Sequence, residues 1–226
     1  MTSLTTQMQQ LYVAYFGRPA DPVGLNHWAS VLSTGTSVSA IASYFASSQE
    51  YGATYSNQTQ SEIVSAIYVN LFGRPPESGG LAYWTNQLSA GSISSADIAA
   101  AITAGAQSSD QVAVTNKLQA AQAFTSLINT TPSATEGYAG RDAMDAARAF
   151  LSGVGASPDS LASAIAPASL SRAIDAATGA PAPEPAPAPE PAPAPEPAPA
   201  PEPASAPEPA PAPEPAPAPQ PQPQPQ

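Results

Sequence analysis

The sequence predicts an all-α protein, and three observations carry that prediction. Apolar residues recur at helical spacing through most of the first 175 positions. One 25-residue stretch of that pattern is written twice, 56 residues apart, and 22 of the 29 prolines fall after position 180, so only the sequence before them can build a core.

The first helical rhythm runs through Met8, Leu11, Tyr12, Tyr15 and Phe16, the second through Leu25, Trp28 and Leu32, the third through Val38, Ile41, Ala42 and Phe45. The second copy repeats it with Ile63, Ile67, Tyr68, Leu71 and Phe72, then Leu81, Trp84 and Leu88, then Ile98 and Ile102, one residue having been inserted before the third helix. Thr59 and Glu62 form a capping box ahead of the second copy. Gly17 and Gly73 stand where a helix end wants positive φ. Asp21 followed by Pro22 reads as an N-cap and first helical residue, whereas the aligned Glu77 and Ser78 form a poorer cap that can shift to Ser78. Each copy therefore reads as three short helices. Beyond them, Leu118, Ala121, Phe124 and Ile128 continue as a helix, a loop is expected around Pro132 and Gly137, and weaker helical patterns follow, interrupted by Pro167. The expected organisation is a first repeat over 1–57, a second over 58–110, a helical extension over 111–178 and a proline- and glutamate-rich tail over 179–226. The extension keeps neither the GRP nor the GLxxW string that would mark a third copy.

From Pro181 proline occupies every odd position except Ser205, a pattern that excludes a regular hydrogen-bonded backbone and predicts a disordered polyproline II tail, about 140 Å long at ~3.1 Å per residue. Its six glutamates recur every six residues, two turns of a three-residue helix, so they share one edge. A stiff, soluble spacer accounts for this, since neither a positive charge nor an aromatic ring breaks the run.

The formal charge of −11 divides into −5 before residue 180 and −6 in the tail. One lysine and five scattered arginines make no basic patch, which argues against nucleic-acid and anionic-membrane partners. No apolar run is long enough for a membrane span, and the N-terminus lacks the pattern of a cleaved signal peptide. The absence of cysteine removes disulfides and thiolate chemistry. With one histidine, His27, aligned with Tyr83, neither a metal site nor a cofactor is expected. An enzyme would have to use a carboxylate pair drawn from Asp21, Glu50, Glu62 and Glu77, and nothing in their spacing selects one, so a non-enzymatic role is expected.

Arg18 and Arg74 are the sharpest candidates for chemistry, each a planar five-donor group between glycine and proline. One reading is structural, the guanidinium tying its loop to helix-end carbonyls or to an acid such as Asp21 or Glu77; the other is recognition of a carboxylate, phosphate or sugar by paired arginines. Loop-locking explains why Gly17, Pro19, Gly73 and Pro75 accompany the arginines, and recognition does not. Gly24 and Gly80 permit close approach of a neighbouring helix, and Trp28 and Trp84, flanked by leucines at helical spacing, read as core rather than as sugar-stacking platforms.

The string LYxAYFGRPADPxGLxxW, carried by Leu11, Tyr12, Ala14, Tyr15, Phe16, Gly17, Arg18, Pro19, Ala20, Asp21, Pro22, Gly24, Leu25 and Trp28, resembles a bacterial helical repeat family known as domain of unknown function 4214. The resemblance spans residues 8–110 and fades beyond. Members occur mostly in exported S-layer-like, haemolysin-like and adhesin-like proteins. The resemblance implies an extracellular or cell-surface protein that attaches or assembles. The N-terminus described above makes export without a cleaved signal peptide the expected route, and a module that binds envelope polysaccharide or another protein is the expected function. The contact edges expected are Arg18 with Asp21 and Arg74 with Glu77. An assembly linker that associates with itself through helix faces is the alternative.

Overall fold

The computed structural model describes residues 3–179. The polyproline II expectation lies outside the described residues. Within them there are twelve helices and no strand: α1 Leu4–Phe16, α2 Pro22–Ser33, α3 Val38–Ala46, α4 Gln49–Tyr55, α5 Gln60–Phe72, α6 Ser78–Ser89, α7 Ile98–Ala104, α8 Ser109–Asn129, α9 Pro132–Gly137, α10 Gly140–Ser152, α11 Pro158–Ile165 and α12 Pro167–Thr178.

The punctuation acts where the sequence places it. Gly17 (φ 66°) and Gly73 (φ 72°) end α1 and α5 in the left-handed conformation, each amide closing onto the carbonyl four residues back. The Thr59–Glu62 capping box is complete in both directions. Asp21 caps α2 by accepting from the Gly24 amide at 2.6 Å, with Pro22 in the first turn. Glu77 is the N-cap of α6 but makes no capping hydrogen bond.

Two elements differ from expectation. The region around Pro132 and Gly137 is the short helix α9, because Pro132 sits in a first turn, where its missing N–H costs nothing. Each copy also carries a fourth helical segment, α4 in the first and the opening turns of α8 in the second. The three-helix reading stopped short of it because α4 has only seven residues, too few to display a period.

The two copies share one core. Met8, Tyr15, Ile41, Phe45, Ile67, Leu71, Ile98 and Ile102 belong to a single buried cluster. Hydrogen bonds cross between copies as well: the Tyr15 hydroxyl donates to the Ser95 and Ala96 carbonyls, and the Asn70 carboxamide donates to the Ala14 carbonyl. The extension builds a second core from Phe124, Ile128, Tyr138, Ala147, Leu170 and Ile174. A small third cluster, in which Val13 of α1 meets Ala120, Ala121, Leu151 and Val154, welds it to the first copy. α8 is the organising strut, packed against α1, α5 and α11. No helix among the described residues is long and apolar enough to cross a membrane.

Candidate functional site

Each copy turns from its first helix to its second through a Gly-Arg-Pro loop, and in both the arginine grips an acid far along the chain. Arg18 donates from Nε and Nη2 to Glu50 at 2.8 and 2.7 Å, and from Nη1 to the carbonyl of Pro19 at 3.0 Å. Arg74 repeats this atom for atom, with Nε and Nη2 on Asp110 at 2.8 and 2.7 Å and Nη1 on the carbonyl of Pro75 at 3.1 Å. Such a two-point fork is the strongest geometry available to a guanidinium and a carboxylate. The proline carbonyl occupies the remaining edge, so the arginine ties its own loop to the fourth helical segment of its copy. All three nitrogens of Arg18 are thus used inside the protein.

Surroundings separate the two. The Arg18 side chain is 4% exposed and lies over the rings of Tyr12, Phe16 and Tyr138. Burial opposes its charge, but the Glu50 carboxylate overcomes that, and the guanidinium is held more firmly protonated than usual. Arg148 of α10 joins the network, donating to Glu50 at 2.8 Å, to the carbonyl of Phe16 at 2.8 Å and to Asp145 at 2.6 Å. The extension also closes on the loop backbone: the Tyr138 hydroxyl donates to the carbonyl of Pro19 and the Thr125 hydroxyl to that of Ala20. Burial pushes the Tyr138 hydroxyl up to about 12, so it remains a donor at neutral pH. Arg74, by contrast, is 36% exposed and adds an ion pair to Glu77 at 2.7 Å. Its hydrogen bonds to Asp110 are the main reason its pKa is raised.

Of the predicted contact residues, Arg18 is enclosed, Asp21 is engaged in capping α2, and Arg74 with Glu77 stands at the surface. Glu50, named in the sequence only as a member of a carboxylate pair, bridges Arg18 and Arg148. Asp110 was missed because copy alignment at 56–57 residues carries Glu50 to the neighbourhood of Ala106 and Gln107. The available signal was local: both acids follow a Ser-Ser pair at a helix start, Ser47-Ser48 and Ser108-Ser109.

The glycines and tryptophans form a second duplicated device. A Cβ at Gly24 would stand 2.3 Å from the Tyr12 hydroxyl, and one at Gly80 would stand 3.3 Å from the Tyr68 hydroxyl. The glycine admits the tyrosine tip in each copy, and the Trp84 indole donates to Tyr68 at 3.1 Å. Both indoles are half-buried against the shared core. Trp28 packs edge-on against Phe45 on one side and leans over Tyr44 on the other, with ring centres 5.7 Å apart and planes 33° from parallel. Tyr44 is 59% exposed, and His27 abuts the indole at 4.8 Å. His27, Trp28 and Tyr44 therefore form an aromatic ledge at the surface of the first copy. The second copy has none, since Tyr44 aligns with Ala101.

This architecture, paired helical repeats with arginine-locked loops and a helical extension, defines an all-α repeat protein. The family model described as domain of unknown function (DUF4214) matches residues 2–55 and again residues 42–111, and this part of the chain belongs to that family. No curated protein and no solved structure shows a detectable match.

Proposed function

We infer that this chain is a non-enzymatic binding module of the cell surface or extracellular space whose ligand is envelope polysaccharide, with the proline-rich sequence after residue 180 as its spacer. The observation that carries the reading is the aromatic ledge. Tyr44 keeps a ring at the surface beside a half-buried indole, and a pair of inclined, partly exposed aromatic faces suits the C–H face of a pyranose. The Tyr44 ring meets the fold through Trp28 and leaves most of its surface to solvent. The absence of basic clustering in the sequence is consistent with a ligand other than nucleic acid.

The test is retention of the full chain on immobilised lipopolysaccharide and capsule of the producing organism. Binding is expected, and Tyr44→Ala, which removes an exposed ring without touching the core, is expected to weaken it. No retention, together with concentration-dependent self-association in light scattering, would replace this reading with the assembly linker. The exposed Tyr83, Val23 and Val69 side chains are the surface features that favour that alternative.

A further inference from the structure

On the opposite flank of α2 from the ledge, a cleft of about 310 Å³ opens between the first turns of α1 and α2 and the C-terminal half of α8. That volume lies at the low end of the roughly 300–1,000 Å³ typical of small-molecule sites. We propose that this cleft is a binding subsite for an uncharged pyranose unit of a polysaccharide. The proposal rests on the glycan-binding reading above and names a place and a chemistry for it.

The lining decides the chemistry. Thr5, Asn26, Gln122, Ser126 and Asn129 supply hydroxyls and carboxamides, Leu25 supplies an apolar patch, and no charged side chain lines the cleft. A carboxamide offers two donors and an acceptor with two lone pairs, and so matches a sugar hydroxyl, which donates and accepts at once. An anionic ligand would meet no cation here, inside a region that carries a formal charge of −5 before residue 180. A metal ion or an amine would meet no carboxylate.

The cleft combines a fixed wall with open donors. Gln122 is held by donating from Nε2 to the Thr6 hydroxyl at 2.9 Å, which leaves its carbonyl oxygen as an acceptor. Behind it the Thr125 hydroxyl is tied to the Ala20 carbonyl at 2.7 Å, and Asp21 and Pro22 fix the start of α2. At the rim, by contrast, the side chains of Asn26, Ser126 and Asn129 have no hydrogen-bond partner among the described residues. Open polar groups on rigid helices around an apolar patch are what orient a small polar ligand. The arrangement belongs to the first copy alone, because Asn26 aligns with Ala82 and Pro22 with Ser78.

The test is calorimetric titration of the full chain with three neutral polymers, dextran, mannan and galactan, and with polygalacturonate as the charged counterpart. At least one neutral polymer is expected to bind, and the double variant Asn26→Ala/Asn129→Ala is expected to bind it about tenfold more weakly, the loss that two hydrogen bonds amount to. Ser126→Tyr, which fills the cleft, is expected to abolish that component. Circular dichroism melting of both variants, at exposed positions, is expected to match the parent. Binding unchanged in both variants would overturn the cleft while leaving the polysaccharide reading intact. Polygalacturonate bound as tightly as the neutral polymers would overturn the neutral-sugar assignment. A parent chain that binds none of the four would overturn the neutral-pyranose cleft, while retention on lipopolysaccharide and capsule decides the polysaccharide reading separately.

Discussion

The two copies use the same arginine fork in opposite environments. In the first, the extension lays Tyr138, Thr125 and Arg148 over the loop and seals Arg18 from water; in the second, Arg74 stays partly solvated and shares itself between Asp110 and Glu77. A duplicated motif therefore need not carry duplicated energetics. Burial makes an ion pair indispensable to the state that contains it, because its removal strands a charge in low dielectric, while exposure lets water replace a lost partner. The first copy carries three features that the second lacks: a loop sealed by the extension, the aromatic ledge and the polar cleft. The second serves as its counterpart in the core.

The sharpest way to break this comparison is to neutralise the two acids in turn. Glu50→Gln takes the carboxylate from both Arg18 and Arg148 and is expected to cost ~3–5 kcal/mol in urea unfolding, whereas Asp110→Asn, with Arg74 still paired to Glu77, is expected to cost about 1 kcal/mol. Equal losses would show that enclosing Arg18 and adding Arg148 make the first fork no more costly to break than the second.

Lys117 provides the next contrast. Its amine is 2% exposed beneath the second loop, has no acidic partner, and donates to the Leu151 carbonyl at 2.8 Å. Burial lowers its pKa from 10.5 to about 8. Below about 8 the folded protein buries an ammonium at a cost; between about 8 and 10.5 the unfolded chain binds more protons than the folded one, so this group's contribution to stability rises with pH across that window. Lys117→Met is expected to raise the melting temperature at pH 7, by an amount equivalent to at most about 3 kcal/mol at ~1.36 kcal/mol per pH unit, and to lose its advantage by pH 10.5. A gain that did not change with pH would assign the effect to packing.

Gly24→Ala should cost about 1–3 kcal/mol, because the new methyl meets Tyr12, itself held between Phe16 and Phe45, whereas Gly80→Ala should be neutral or stabilise by up to ~1 kcal/mol through helix propensity. Similar melting shifts for both would show that the second tyrosine is held as tightly as the first. The smallest effect belongs to the caps: Asp21→Ala is expected to lose about 1 kcal/mol and Glu77→Ala only a few tenths in chemical denaturation, since only Asp21 accepts from its helix.

What was legible in the sequence was whatever depends on neighbours along the chain. The left-handed Gly17 and Gly73, the Thr59–Glu62 box, the Asp21–Pro22 start and the stripes of α1 and α5 are all local, and each stands where the residues put it. What escaped depends on separation. Glu50 lies 32 residues from Arg18 and Asp110 lies 36 from Arg74, and neither spacing follows the repeat. Tyr44 is not legible because helical periodicity in α3 marks the residues that are buried and not those left at the surface, and the polar cleft is assembled from α1, α2 and α8, whose convergence no local pattern announces.

α8 has a consequence for how long such a protein can be. In the first copy the fourth helix stops at Tyr55, and Ser56, Asn57 and Gln58 turn the chain into the Thr59 cap that starts the next copy. In the second copy the corresponding helix runs on for 21 residues, from Ser109 to Asn129, with no such stop. In this chain the repeat restarts after that four-residue turn, and where the turn is absent the helix runs on into the closing extension. Splicing Ser-Asn-Gln-Thr and a further copy after the first turns of α8 would be the route to a longer array.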